Sequence, residues 1–264
     1  MLLFVLALVL VVVEFGEIFT VNAMGSVWLN IISDIIFVVF AATLFGLRYR
    51  GAIIKVTRFF GVERQTPIRI YISTHQDPAT TTGKVLTAEE SEIAEELKDA
   101  LKKQLPDSIA FWAKQFGIEL ETPEIVIKGS PLGRVETWPY PGGLILIGGP
   151  TRNNLAEFYL RTGNPWLSFD DGKKKFVRKT EQGHWEELDN SDKLAILEKI
   201  IVDGKVVIVA FGFGELGTSS AVRYLINEWK TLADKYQNKE FARLLLVKSS
   251  GQVHVQEEYP KQKD

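Results

Sequence analysis

The chain has 264 residues, 24% of them charged, and a formal net charge of −2. That length holds one full-size domain plus a smaller segment, and the balanced charge argues against sequence-specific nucleic-acid binding. Cysteine is absent, which excludes disulfides, thiolate catalysis and cysteine-ligated metal sites together.

Residues 1–13 carry no charge, Glu14 and Glu17 follow, and a second apolar run, Val27–Leu47, contains Asp34 as its one charged residue. At about 1.5 Å per residue the second run is long enough to cross a bilayer core of about 30 Å. The first run is long enough only if it extends to about Val21. The expectation is a transmembrane helical hairpin over residues 1–47, turning at Asn22–Ser26, with the lipid bilayer as partner. A rival reading makes the first run a signal peptide ending near Ala23. Arg48, Arg50, Lys55, Arg58, Arg64 and Arg69 follow against one acid, Glu63. The positive-inside rule then makes residues 48–66 a basic juxtamembrane linker, with Ile53, Val56, Phe59 and Phe60 against the lipid surface, and places residues 67–264 in the cytoplasm. Glu14, Glu17 and Asp34 are read as polar contacts between helices, and a homo-oligomer is expected.

Beyond the linker, Ile68–Ser73 alternates and is rich in isoleucine, which predicts a strand. Thr87-Ala-Glu-Glu90 is a capping box opening a helix to about Leu105, and Pro106-Asp107 restarts a shorter one to Phe116. Glu124–Lys128 and the fully apolar Leu144–Ile147 read as strands. Asn153–Thr162 reads as a helix. Asp170-Asp171-Gly172 marks a hairpin between Trp166–Phe169 and Lys174–Arg178. Ser191-Asp192 predicts a helix to Val202, and Lys205–Phe211 a buried strand. Thr218–Tyr236 is a long helix, and Ser249-Ser250-Gly251 joins two last strands. Strands alternating with helices predict an α/β fold: a Rossmann-like, mainly parallel three-layer α/β/α domain over residues 67–264, with antiparallel hairpin additions.

Ligands of such sheets bind outside the carboxyl ends of the strands. Three ends stand out: Ser73, Thr74 and His75; Gly148-Gly149-Pro150-Thr151-Arg152-Asn153; and Gly212-Phe213-Gly214-Glu215-Leu216-Gly217-Thr218. The last is a literal G-x-G-x-x-G between strand and helix, a pattern that lets a phosphate approach a helix N-terminus. It departs from a dinucleotide fingerprint in sitting near the end of the fold and in carrying Glu215. In the second loop, Thr151, Arg152 and Asn153 could meet a phosphate, or the glycines could turn the chain while Asn153 caps the helix. His75 is the one general acid or base that the strand ends offer. No metal constellation is present in any local motif, and no cofactor is implied.

Gly148-Gly149-Pro150-x-x-Asn153 after an apolar strand, together with Gly212…Gly217-Thr218-x-x-Ala221 after a second, resembles the turns of archaeal S-layer protein modules. The resemblance covers the second half of the soluble domain and implies structural turns without catalysis. The leading expectation is a membrane-anchored cytoplasmic sensor or ligand-binding module, non-catalytic, for a nucleotide-type or other phosphate-bearing small molecule. The alternatives are a structural cell-envelope protein related to S-layer modules and a nucleotide-processing hydrolase using His75.

Overall fold

The computed structural model describes residues 33–37, 39–40, 43–44, 51, 53–62, 66–76, 84–103, 124–132, 134–135, 143–189 and 191–260. The chain divides into two compact units, Met1–Gly51 and Ala52–Asp264. In the first, the described residues 33–37, 39–40, 43–44 and 51 are helical, and Ile35, Phe37, Val39, Phe40 and Leu44 are exposed. Among the described residues no helix is long and apolar enough to cross a membrane. This corrects the transmembrane hairpin and the integral-membrane placement, which need helices of roughly 20 predominantly apolar residues. The inward placement of residues 67–264 rests on that span and falls with it. The first apolar run, with Glu14 and Glu17, lies outside the described residues, as does the helix expected over Pro106–Phe116.

In the second unit a helical segment, 53–60, precedes β1 (Ile68–Ile72). The short β2 (Thr74–Gln76) and β3 (Lys84–Leu86) pair with each other, and α1 (Ala88–Lys103) leads on to β4 (Ile125–Gly129). Then come β5 (Leu144–Ile147), α2 (Asn154–Thr162), and an antiparallel sheet of β6 (Leu167–Asp170), β7 (Lys175–Lys179) and β8 (Trp185–Glu187). A 3-10 turn at Ser191–Lys193 leads into β9 (Leu194–Val202) and β10 (Lys205–Gly212). The described fold ends with α3 (Gly214–Tyr236), β11 (Phe241–Val247) and β12 (Val253–Tyr259).

Seven strands form one sheet in the order β12-β11-β9-β10-β5-β1-β4. The pairs β4/β1, β1/β5 and β5/β10 are parallel, whereas β10/β9, β9/β11 and β11/β12 are antiparallel. The expectation of a mainly parallel sheet is therefore corrected to a mixed one. The difference lies in Leu194–Val202, expected as helix. Its side chains alternate between two buried faces, with Ala195 and Leu197 in one core and Leu194, Ile196 and Ile200 in the other. An Asp203-Gly204 turn, with φ of 50° and 75°, closes it onto β10 as a hairpin. The Ser-Asp helix-start signal is used by the short 3-10 turn instead.

The two faces have separate cores. On one, α1 and α3 pack through Ile93, Leu97, Leu225 and Trp229 on the isoleucines of β1 and β5. Val56, Phe59 and Phe60 of the 53–60 segment lie in this same core. That corrects the reading of these residues as a lipid-facing linker: their apolar face is the one the sheet covers. On the other face, α2 and the three-stranded sheet pack through Leu155, Tyr159, Leu167 and Phe176. Arg178 of β7 donates to Glu257 of β12 at 2.7 Å and to Glu186 at 3.1 Å, tying the small sheet to the edge of the large one. On the opposite side, Arg243 and Lys235 donate to Glu258, and their hydrogen bonds, with that of Tyr236, outweigh burial and hold its carboxyl down at about 2.

Two ionisable residues of β9 are fully buried. Glu198 Oε1 accepts from the Trp166 N–H at 2.7 Å, while Oε2 has no partner among the described residues. Burial pushes the carboxyl up to about 8, against the opposing pull of the Trp166 N–H. Lys199 Nζ donates to the Gln237 carbonyl and lies 4.8 Å from the Phe59 ring centre, and burial pulls it down to about 8.

A group whose pKa is raised by folding stabilises the native state at low pH and loses that contribution as pH rises through the folded value. Stability should therefore fall between about pH 4.5 and pH 8, by at most about 1.4 kcal/mol per pH unit from this one group. Lys199, with the opposite shift, acts only above about pH 8. Urea unfolding at pH 5, 6.5 and 7.5 should show this decline in the native chain and a flatter profile in Glu198→Gln. An unchanged slope in the variant would assign the decline to other groups.

Candidate functional site

The helices that follow β1 and β5 lie on opposite faces of the sheet, α1 in one core and α2 in the other. Adjacent parallel strands whose connections diverge in this way leave a crevice at their carboxyl ends. A cleft of about 290 Å³ opens beside it, at the carboxyl ends of β5 and β10. Its floor is Gly149–Arg152 after β5 and Gly212–Gly214 after β10. One side is the start of α1, with Thr87, Glu89 and Glu90, and the other is the β6–β7 hairpin, with Phe169, Asp171, Lys174 and Phe176.

The two glycine loops meet in this one cleft, but their residues divide into lining and scaffold. Gly149, Thr151, Arg152, Gly212, Gly214 and Thr218 line it. Asn153 does not. It is fully buried, its Oδ1 accepts from the N–H groups of Leu155 and Ala156, and its Nδ2 donates to the carbonyls of Ile147 at 2.9 Å and Tyr71 at 3.3 Å. One side chain thus caps α2 and joins the ends of β5 and β1. Ser73 and Thr74 are also interior. Ser73 donates from N and Oγ to the two carboxylate oxygens of Glu90, at 2.7 and 3.1 Å, and Thr74 Oγ1 donates to the Ser130 carbonyl at 2.5 Å. Gly148, at φ 98°, lies where a Cβ would stand 2.3 Å from Ser73 Oγ. Gly217 packs against the backbone of Gly212, where a Cβ would come within 2.9 Å. These four positions, with Asn153, are engaged within the fold and are not among the residues that line the cleft. His75 is in β2 opposite Val85, and its side chain lies outside the described residues.

Helix α3 starts at Gly214, four residues before the expected Thr218. Its N-cap, Phe213, provides no side-chain hydrogen bond. The Thr218 hydroxyl instead accepts from the Gly212 N–H at 3.2 Å, drawing the loop tight against the helix. Gly214, at φ 65°, has open space where a Cβ would stand.

The sequence motifs offer none of the remaining lining residues as ligand contacts. Phe169, Phe176, Phe211 and Phe213 give the cleft aromatic surface, and Phe213 is 46% exposed. Four carboxylates, Glu89, Glu90, Asp171 and Glu215, face two cations, Arg152 and Lys174. Lys174 pairs with Asp171, while Arg152 is in no ion pair among the described residues. The Asp170-Asp171-Gly172 turn was legible as a hairpin. That the hairpin reaches the cleft depends on packing across 20 residues of chain and left no local signal. Among the described residues no group of three or more potential ligands could hold a metal ion.

No protein-family model matches the chain, and no curated protein or solved structure matches it.

Asn153→Ala should remove the α2 cap and leave two buried carbonyls without their donor. The expected loss is about 2–4 kcal/mol, summing a cap and a buried hydrogen bond. Asn153→Asp keeps the cap but turns an acceptor toward both carbonyls, so it should lower the melting temperature by a comparable amount. If Asn153→Asp were as stable as the native chain, the cap alone would matter and the strand-joining role would be wrong.

Proposed function

We propose that the second unit is a non-catalytic binding module that takes a nucleotide-type or other phosphate-bearing small molecule in this cleft. The observation that carries the reading is the convergence of two loops, GPTR after β5 and GFG after β10, on one cleft whose Arg152 is in no ion pair among the described residues. Arg152 offers a planar fork suited to a phosphate. Gly214 has open space where a Cβ would stand, and the first N–H groups of α3 lack a side-chain cap. The phenylalanines supply flat apolar surface for a ring. The cleft volume is at the lower end of those that hold small molecules.

A second reading is a structural module like those of archaeal S-layers. It is favoured by Asn153 and Gly217, whose roles in the two turns are internal packing. That reading expects self-association, measurable by light scattering, and no response to small molecules.

Thermal unfolding of the full chain with adenosine, guanosine, cytidine and uridine monophosphates and inorganic phosphate separates the two. The binding reading expects a rise in melting temperature with at least one nucleotide. Arg152→Gln should weaken that ligand about tenfold or more, a loss of about 1.4 kcal/mol, without altering the melting temperature of the free chain. No rise with any phosphate-bearing compound would remove the proposal.

A further inference from the structure

We infer that the cleft selects a nucleoside monophosphate over nucleoside polyphosphates and dinucleotides. This rests on the phosphate-ligand reading above and adds the class of ligand.

The inference comes from the distribution of charge around one confined space. Of the two cations that line the cleft, Lys174 is held by Asp171. Arg152 is left as the cation outside any ion pair among the described lining residues. A guanidinium binds one phosphate group in a two-pronged contact. Of the carboxylates, Glu90 is buried and engaged by Ser73, whereas Glu89 and Glu215 are exposed, on the solvent side of the cleft. Any further phosphate of a ligand held by Arg152 shares the cleft with these carboxylates. Like charges then oppose every added negative group.

Glu215 acts against a pyrophosphate in a second way. It stands in the first turn of α3, where its own charge already meets the positive end of the helix dipole. The G-x-G-x-x-G loop therefore has the glycines of a dinucleotide site and an acid within the loop itself. The same two carboxylates suit the rest of a monophosphate. Ribose hydroxyls and exocyclic amines are donors, and Glu89 and Glu215 are acceptors. Phe213, nearly half exposed on the cleft wall, is an aromatic face that a base would cover. The volume of about 290 Å³ is at the lower end for small-molecule sites, which suits a single nucleoside phosphate.

Isothermal titration of the full chain tests this with adenosine mono-, di- and triphosphate, the triphosphate with and without Mg²⁺, and NAD, repeated with the guanosine series. At least tenfold tighter binding of a monophosphate than of its triphosphate, in both conditions, is expected. The double variant Glu89→Gln, Glu215→Gln should narrow that gap by strengthening the triphosphate more than the monophosphate. Triphosphate binding as tight as monophosphate binding would overturn the selectivity but keep the phosphate reading. So would tighter triphosphate binding with Mg²⁺, because Glu89 and Glu215 would then be holding the cation. An unchanged gap in the double variant would overturn the assignment of selectivity to these carboxylates. Binding of none of the nucleotides would remove both readings together.

Discussion

The carboxyl edge of the sheet is organised around the side chain of Asn153. Its amide group meets four backbone partners in the interior: two N–H groups at the start of α2, and the carbonyls that end β5 and belong to β1. A buried amide with both ends satisfied is stabilising, whereas each unmatched partner would carry a desolvation cost. The β1/β5 ladder runs to Tyr71 and Leu146, and Asn153 ties its end to the start of α2. Ser73, Glu90, Thr74 and Ser130 extend the same arrangement to the start of α1 and the end of β4. The cleft is the space left above this polar layer, and its loops are positioned from below.

The other half of the sheet follows a different rule. The β9–β10 hairpin inserts an antiparallel strand beside β10, β11 arrives by way of α3 on the far side of β9 and runs in the direction of β10, and β12 returns antiparallel to it. β9 is buried on both faces yet carries Glu198 and Lys199 side by side, one pointing to each core. Both depart from their ordinary ionisation in the direction burial dictates. The fold accommodates them separately, one through the Trp166 N–H and the other through the Gln237 carbonyl and the Phe59 ring, rather than as an ion pair.

Much of this was legible in the chain. The apolar runs Leu144–Ile147 and Lys205–Phe211 are buried strands, and the long helix before the last hairpin is present. The two glycine loops do meet. Leu194–Val202 was misread because a Ser-Asp start signal and apolar spacing fit a helix as well as a doubly buried strand. The Asp203-Gly204 turn, flanked by apolar runs, was the signal that could have decided it. Phe59 and Phe60 were assigned to a lipid surface because a basic flank around apolar residues reads alike whether the apolar face meets lipid or a sheet. Within the site, residue type identified Arg152 and the glycines but could not tell Asn153 the scaffold from Asn153 the ligand contact. That distinction depends on Tyr71, 82 positions away. The acidic and aromatic walls come from α1 and from β6–β7, elements whose distance in the chain hides their proximity.

The link between Arg178 and Glu257 joins parts of the protein that perform different tasks. The β6–β7 hairpin forms one wall of the cleft, and through Arg178 it is fastened to β12, the last strand and the outermost of the large sheet. That wall is thus held twice, by the apolar packing of Leu167 and Phe176 against the sheet and by a charged tie to an edge strand.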